Sequence, residues 1–307
     1  MTNTDVFGRK LLALGEEYPN LVAITAAMAS GTGLSKFANV YPKRFFDVGI
    51  AEQHAVTFAA GLASEGMIPV VAVYSSFLQR AYDQILHDVC LQNLHVIFAI
   101  DRSGLVGEDG ATHQGIFDTA YLAQIPNMTI LAPKNRYELT KAMEFAVKYN
   151  GPIAIKYSRG DAFYGLKEQQ ELIEHGKSEV LFKGEQVALV AVGNMVEVAA
   201  SVYDTLKEKG VNITLVNARF IKPLDEELLT DLAKNYHTVI TLEEHVLQGG
   251  FGQAVSAFYM NSGVKDIDVM NFAIDDSFVE HGSVNALREK LGIDADSIVK
   301  AIEGQWK

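Results

Sequence analysis

Short β-branched runs that alternate with stretches of helical period constrain this chain more than any other feature. Residues 69–74 (Pro-Val-Val-Ala-Val-Tyr) and 96–100 (Val-Ile-Phe-Ala-Ile) are continuous and apolar, the pattern of strands buried on both faces of a sheet. Residues 21–25, 129–131 and 153–156 read the same way. Between them, 51–64, 77–90 and 138–149 place apolar residues on a helical period. Strands that alternate with helices imply βαβ units and a mainly parallel sheet.

The pattern lapses between about 160 and 183, where glutamates and glycines mark a polar connection, and then returns. Strands are expected at 186–192, 212–217 and 237–242, with helices at 196–209 and 226–234. The fold class is therefore α/β in two domains, each a mainly parallel sheet flanked by helices. The expected division is 1–165, a linker over 166–184, and 185–307. A length of 307 residues fits two domains.

The formal net charge of -12 argues against nucleic acid or an anionic membrane as the main partner. No apolar run approaches the ~18 residues that would span a bilayer. The N-terminus has no signal layout, and the single cysteine, Cys90, excludes an intrachain disulfide. A cytoplasmic protein is expected, with Cys90 a buried and inert thiol because its neighbours are mostly apolar.

Ligands of open parallel sheets bind beyond the carboxyl ends of strands. The polar residues there are Tyr74-Ser75-Ser76, Asp101-Arg102 and Tyr157-Ser158-Arg159. Either arginine alone could simply pair with a neighbouring carboxylate. Two of them at sheet ends beside a glycine-rich loop point to an anion site. That loop, residues 107–115, brackets Asp109 and His113 with glycines. It can bring backbone close to a ligand while presenting a histidine suited to general acid/base work.

Glu52 stands among small and apolar residues at a helix start. It either serves the helix dipole as an N-terminal carboxylate or, if buried, exchanges a proton or shares one with a ring nitrogen. His54 reads as structural. No metal set is expected, since His87 and His95 lie eight residues apart without a third ligand. Glu243-Glu244-His245 is expected to form a strand-end turn leading to the glycines at 249, 250 and 252. That loop lacks the lysine and spacing of a P-loop and reads as a tight turn before a helix starting near Gln253.

Residues 47–61 (Asp-Val-Gly-Ile-Ala-Glu-Gln-His-Ala-Val-Thr-Phe-Ala-Ala-Gly) resemble the pyrimidine-domain signature of the transketolase superfamily. With His54 and Thr57, residues 74–84, Asp101-Arg102 and residues 110–115, they are similar to the 1-deoxy-D-xylulose-5-phosphate synthase family. The resemblance runs from about residue 5 to the C-terminus. It is most specific up to Arg159 and looser beyond, where Arg219-Phe220-Ile221-Lys222-Pro223-Leu224-Asp225 still matches.

The resemblance implies a transferase that condenses pyruvate with D-glyceraldehyde 3-phosphate, releasing CO2, with thiamin diphosphate and Mg2+ as cofactors. It implies that Glu52 hydrogen-bonds the N1′ nitrogen of the aminopyrimidine and that Phe77 packs on that ring. Arg102 and Arg159 would grip the substrate phosphate, Tyr74 and Arg80 shape the pocket, and His113 and Asp109 position pyruvate and manage protons.

The family's diphosphate- and Mg2+-binding motif, Gly-Asp-Gly followed by asparagine, does not occur in the sequence. The chain is therefore expected to be inactive alone and to need a diphosphate-binding half. It would be a fragment of a longer synthase or, as the competing expectation, a naturally separate subunit. A β-subunit of a 2-oxo-acid dehydrogenase, a split transketolase and a non-catalytic assembly module are the other readings. A homodimer is expected, because pyrimidine domains of this superfamily associate across apolar surface.

Overall fold

The computed structural model describes residues 1–304; the last three residues of the expected second domain lie outside the described residues. The chain opens on α1 (Asn3–Glu17), which sequence reading did not identify. Its start is a reciprocal capping box: Thr2 Oγ1 accepts from Asp5 N, and the Asp5 carboxylate accepts from Thr2 N. There follow β1 (Leu21–Thr25), α2 (Ser35–Val40), β2 (Phe45–Asp47), α3 (Glu52–Ser64), β3 (Ile68–Tyr74), α4 (Ser75–Leu78) and α5 (Tyr82–Gln84). The first half continues with β4 (Ile97–Asp101), α6 (Asp118–Ala123), β5 (Thr129–Leu131), α7 (Arg136–Ala146) and β6 (Ile153–Tyr157). The second half runs β7 (Glu179–Phe182), β8 (Ala188–Ala191), α8 (Met195–Glu208), β9 (Thr214–Asn217), β10 (Phe220–Lys222) and α9 (Glu226–Asn235). It ends with β11 (Thr238–Val246), α10 (Phe251–Asn261), β12 (Asp268–Ile274), α11 (Val284–Leu291) and α12 (Ala295–Gly304).

Two sheets result, in the orders β10-β5-β6-β4-β3-β1-β2 and β12-β11-β8-β9-β7. Each is parallel apart from one antiparallel edge strand, β10 in the first and β7 in the second. The interior strands β1, β4 and β6 are buried along their whole length, as their unbroken apolar sequences require. The sheets are not sequence-contiguous. β10 comes from the second half yet pairs with β5 of the first sheet, Phe220 opposite Leu131. β7 begins inside the segment expected to be a polar linker and joins the second sheet.

Two local expectations need correction. Residues 77–90 do not form one α-helix: α4 gives way to a 3-10 turn at Gln79–Ala81, then α5, then a π-helical turn at Ile85–Cys90. The wide turn brings Ile85, Val89 and Cys90 together into the core, which the narrower α period would not do. Glu243-Glu244-His245 is no turn either. All three lie within β11 and are buried. The error came from reading charge as exposure; partners on other elements satisfy each group, backbone amides for Glu243, Arg288 for Glu244 and Lys156 for His245. The glycine loop is a turn, as expected, and α10 begins at Phe251. Its first amides, Phe251 N and Gly252 N, donate to Glu243 at 2.9 and 2.7 Å, so the helix end is occupied by the chain's own carboxylate.

Candidate active site

The register of the first sheet sets three strand ends level. Tyr74 of β3 is opposite Asp101 of β4, and Asp101 is opposite Tyr157 of β6. Tyr74, Arg102 and Arg159 thus emerge side by side. Arg102 leaves β4 in a left-handed backbone conformation, φ 60°. Its guanidinium carbon lies 3.8 Å from the centroid of the Tyr74 ring, and its Nη1 donates to Gly31 O at 3.0 Å. A side chain at position 31 would not fit, since a Cβ there would come within 1.9 Å of the Tyr74 hydroxyl. Burial raises the Tyr74 hydroxyl above its ordinary value, with Arg102 and Arg159 pulling the other way, so it is a neutral donor. Arg159 Nη1 donates to Val106 O and Asp109 Oδ2, both at 2.8 Å.

Phe77, on α4 immediately beyond β3, stacks on Tyr74 with centroids 5.7 Å apart. It meets the edge of His113 at 5.5 Å and the Arg80 guanidinium at 5.5 Å. Arg80 in turn pairs with Glu52 at 3.2 Å. Glu52 is the first residue of α3 and only 2% exposed. Contacts therefore run unbroken from Glu52 through Arg80, Phe77 and Tyr74 to Arg102, with His113 attached at Phe77. Asp109 joins through Arg159. His113 Nδ1 lies 2.9 Å from Thr112 Oγ1. His54 faces away, exposed and stacked on Phe58.

Sequence reasoning missed the support beneath. Asp101 is fully buried; burial pushes its carboxyl up to about 6, against the pull of Thr4 and Arg102. Its Oδ2 accepts from Thr4 Oγ1 at 2.7 Å. Oδ1 lies 3.1 Å from Arg102 Nη1 without hydrogen-bond geometry. Ser75 Oγ donates to Asp118 Oδ2 at 2.8 Å, and Lys156 Nζ donates to Asp118 Oδ1 at 2.5 Å. Burial opposes charge on Asp118, yet the Lys156 ammonium holds its carboxyl far below the carboxylate range. The small-residue signal at Gly31 was visible in sequence, but its contact with Tyr74 was not.

Among the described residues, no group of three or more His, Cys, Asp or Glu could hold a metal ion. A cavity of about 560 Å3 lies elsewhere, between α7 and residues 169–175, with Lys134, Glu138 and Arg219 in its lining. Its size does not make it the active site, because those three groups already satisfy one another.

Comparison with known proteins agrees with this anatomy. Residues 1–163 match the family model "Transketolase, pyrimidine binding domain", and residues 176–298 match "Transketolase, C-terminal domain". The chain is 54% identical to a 1-deoxy-D-xylulose-5-phosphate synthase of Lachnoclostridium phytofermentans over 97% of its own length and 48% of the relative's. With 1-deoxy-D-xylulose-5-phosphate synthase 1 of Geobacter sulfurreducens it shares 53% identity over 98% of this chain and 47% of that one. It thus spans about half the length of the curated relatives it matches. Among solved structures, a split gene transketolase described as an inactive beta4 tetramer superposes with a TM-score of 0.86 at 32% identity, covering 99% of this chain and 97% of that one. Transketolase from Campylobacter jejuni, at 18% identity, a TM-score of 0.80 and coverage of 99% and 46%, shares the fold. The chain belongs to the transketolase family, whose pyrimidine-binding and C-terminal domains it carries in that order.

Proposed function

We propose that this chain is the pyrimidine-binding and C-terminal half of a 1-deoxy-D-xylulose-5-phosphate synthase, acting with a diphosphate-binding half. The observation that carries the reading is Glu52, buried at a helix start and linked by side-chain contacts to Arg102. Identity of about half over nearly the whole chain to proteins named for that activity favours it over a 2-oxo-acid dehydrogenase subunit.

The residues present fit the ring end of thiamin diphosphate. Arg80 occupies one Glu52 oxygen, and the other has no hydrogen-bond partner among the described residues. The half-buried Phe77 ring lies on the far side of Arg80. They do not fit the metal end, so Mg2+ and the diphosphate are assigned to the other half. When bound, the cofactor supplies the electron sink that decarboxylation of a 2-oxo acid requires. Glu52 would hydrogen-bond the ring nitrogen of the aminopyrimidine. Among the described residues Arg102 and Arg159 each commit only Nη1, leaving N–H groups for bidentate bonds to the phosphate of glyceraldehyde 3-phosphate. Asp109 orients Arg159, the Tyr74 hydroxyl donates into the pocket, and His113 moves a proton at the acceptor oxygen. Arg80 holds one oxygen of Glu52, and Phe77 would pack on the aminopyrimidine ring.

An association surface beside the site belongs to this reading on the strength of the family resemblance, and Ile50, 81% exposed and two residues from Glu52, is the side chain there that it would cover. The match to the split gene transketolase chain supports a partner supplied as a separate subunit. The reading is tested by mixing the chain with a diphosphate-binding half from a relative and measuring CO2 release from pyruvate that depends on glyceraldehyde 3-phosphate. Glu52→Ala is expected to lower turnover at least ~100-fold. Turnover by the chain alone with thiamin diphosphate and Mg2+ would contradict the need for a second half. Light scattering is expected to show a dimer or larger species; a monomer at micromolar concentration would remove the association surface.

A further inference from the structure

His245, on β11 of the second sheet, reaches into the first. Its Nε2 lies 3.1 Å from Ser103 Oγ, 2.9 Å from Lys156 Nζ and 3.2 Å from Asp118 Oδ1. Each contact leads to a different strand end. Ser103 follows Arg102 on the turn after β4. Lys156 lies on β6, three residues before Arg159. Asp118 holds Ser75, which directly follows Tyr74. Lys156 also donates to Thr119 Oγ1, which fixes the start of α6.

All of these groups are buried. In so dry a setting, losing one partner leaves another polar atom stranded. Burial, and then Lys156, hold the imidazole below its ordinary value, so the ring is an uncharged bridge. Its Nδ1 has no partner among the described residues. The adjacent Glu244 adds a second tie, accepting from Leu105 N at 3.0 Å while Arg288 and Asn194 hold it from its own side. The turns have no slack to absorb a shift. A Cβ on Gly115 would lie 2.0 Å from Arg102 O and 2.8 Å from Ser75 Cβ, and one on Gly104 would lie 2.4 Å from Glu244 Oε2.

We propose that His245 is a positioning residue for the acceptor phosphate: through Ser103 and through Lys156, whose ammonium also holds Asp118, it sets the spacing of the three turns that carry Tyr74, Arg102 and Arg159. The C-terminal half thereby tunes recognition of the phosphorylated acceptor without touching it. This inference rests on the assignment of those strand ends as the acceptor site.

The test uses His245→Leu, His245→Gln and Ser103→Ala in the full chain. Glutamine returns a polar group near the place of Nε2, and Ser103→Ala removes one of its two hydrogen-bonding contacts. Each variant, assembled with a diphosphate-binding half, is assayed for KM toward glyceraldehyde 3-phosphate and toward pyruvate. Amide hydrogen exchange of residues 74–77, 101–104 and 157–160 is followed in the chain by itself. His245→Leu is expected to raise KM for the phosphorylated acceptor about tenfold, with KM for pyruvate changed less than about twofold. Exchange in all three segments should quicken, glutamine should recover most of both effects, and Ser103→Ala should shift both modestly in the same direction. Equal losses toward both substrates, with glutamine no better than leucine, would reduce His245 to a purely structural role and overturn the proposal. Should the leucine variant fail to fold, wild-type KM ratios and exchange in Ser103→Ala overturn it instead. If the unaltered assembly makes no product, the assigned activity has failed, and the exchange measurements alone decide: three unchanged segments overturn the coupling, three quickened segments sustain it.

Discussion

Arg102 and Arg219 occupy the same backbone situation and do opposite things. Each lies just past a parallel strand, at left-handed φ values of 60° and 57°, a conformation that costs a non-glycine residue about 1–2 kcal/mol and persists only where its surroundings enforce it. Arg219 is 1% exposed, and every guanidinium nitrogen is engaged: Nε with Glu138 at 2.7 Å, Nη1 with Leu172 O at 3.1 Å, Nη2 with Glu171 O at 3.3 Å and Glu179 at 3.2 Å. Lys134 and Asn217 complete that closed set. Arg102 commits one nitrogen and keeps the rest. Strain spent on a saturated cluster holds the fold, and strain spent on an unsaturated one holds a donor ready for a ligand.

The contrast breaks most directly at the closed cluster. Arg219→Met leaves Glu138 and Glu179 buried with only Lys134 to balance them. It is expected to cost about 3–5 kcal/mol in denaturant unfolding, more than Arg102→Met, which leaves one buried carboxylate, Asp101, that still accepts from Thr4. Equal losses would erase the distinction. Glu243 sharpens it as a third case, a buried carboxylate that takes hydrogen bonds from backbone amides and, among the described residues, from no cation. Burial raises it to about 7 from an ordinary 4.5, opposed by the amides of Gly252 and Phe251 and more weakly by Lys156. Because its folded value lies above its unfolded one, its stabilisation is complete below about pH 4.5 and is lost as pH rises through about 7, by at most about 3 kcal/mol. His245, His95 and His175, all lowered by burial, slope the other way near pH 6. The measurement is therefore the difference between the unfolding curves of Glu243→Gln and the unaltered chain from pH 5 to 8, and a constant difference would refute it.

At the open cluster the expected effects are smaller and fall on binding. Arg102→Lys should raise KM for glyceraldehyde 3-phosphate about tenfold, because an ammonium has no bidentate fork, with the unfolding midpoint near that of the unaltered chain. A shifted midpoint with an unshifted KM would reverse the roles of the two arginines. Smallest of all is the expectation at Cys90, where burial pushes the thiol up to about 12. Iodoacetamide at pH 8 should leave the folded chain unlabelled and label it on unfolding; rapid native labelling would show that the core beside α3 opens readily.

The runs Val70–Val73 and Ile97–Ile100 were legible as strands because burial on both faces demands unbroken apolar sequence. Strand ends, and with them Tyr74, Arg102 and Arg159, followed from those runs. Glu243, Glu244 and His245 were misread because their partners, Gly252, Arg288 and Lys156, stand on other elements. Nothing in a local window announces that a polar group is satisfied from elsewhere. The same holds for β10, whose three residues form a strand only because β5 offers an edge, and for the π turn at Ile85–Cys90, fixed by packing rather than propensity. α1 is different: its capping pair, Thr2 and Asp5, stood in the sequence and was overlooked.

The returning strand β10 has a mechanical consequence. It closes the flank of β5 with residues that arrive only after the second sheet is under way. A protease that severed the segment near residue 170 would nick the molecule without releasing two pieces. Expression of the first 165 residues by themselves would bare a strand flank that invites fibrous self-pairing. The two halves are knitted rather than tethered, and neither can be excised along the apparent seam.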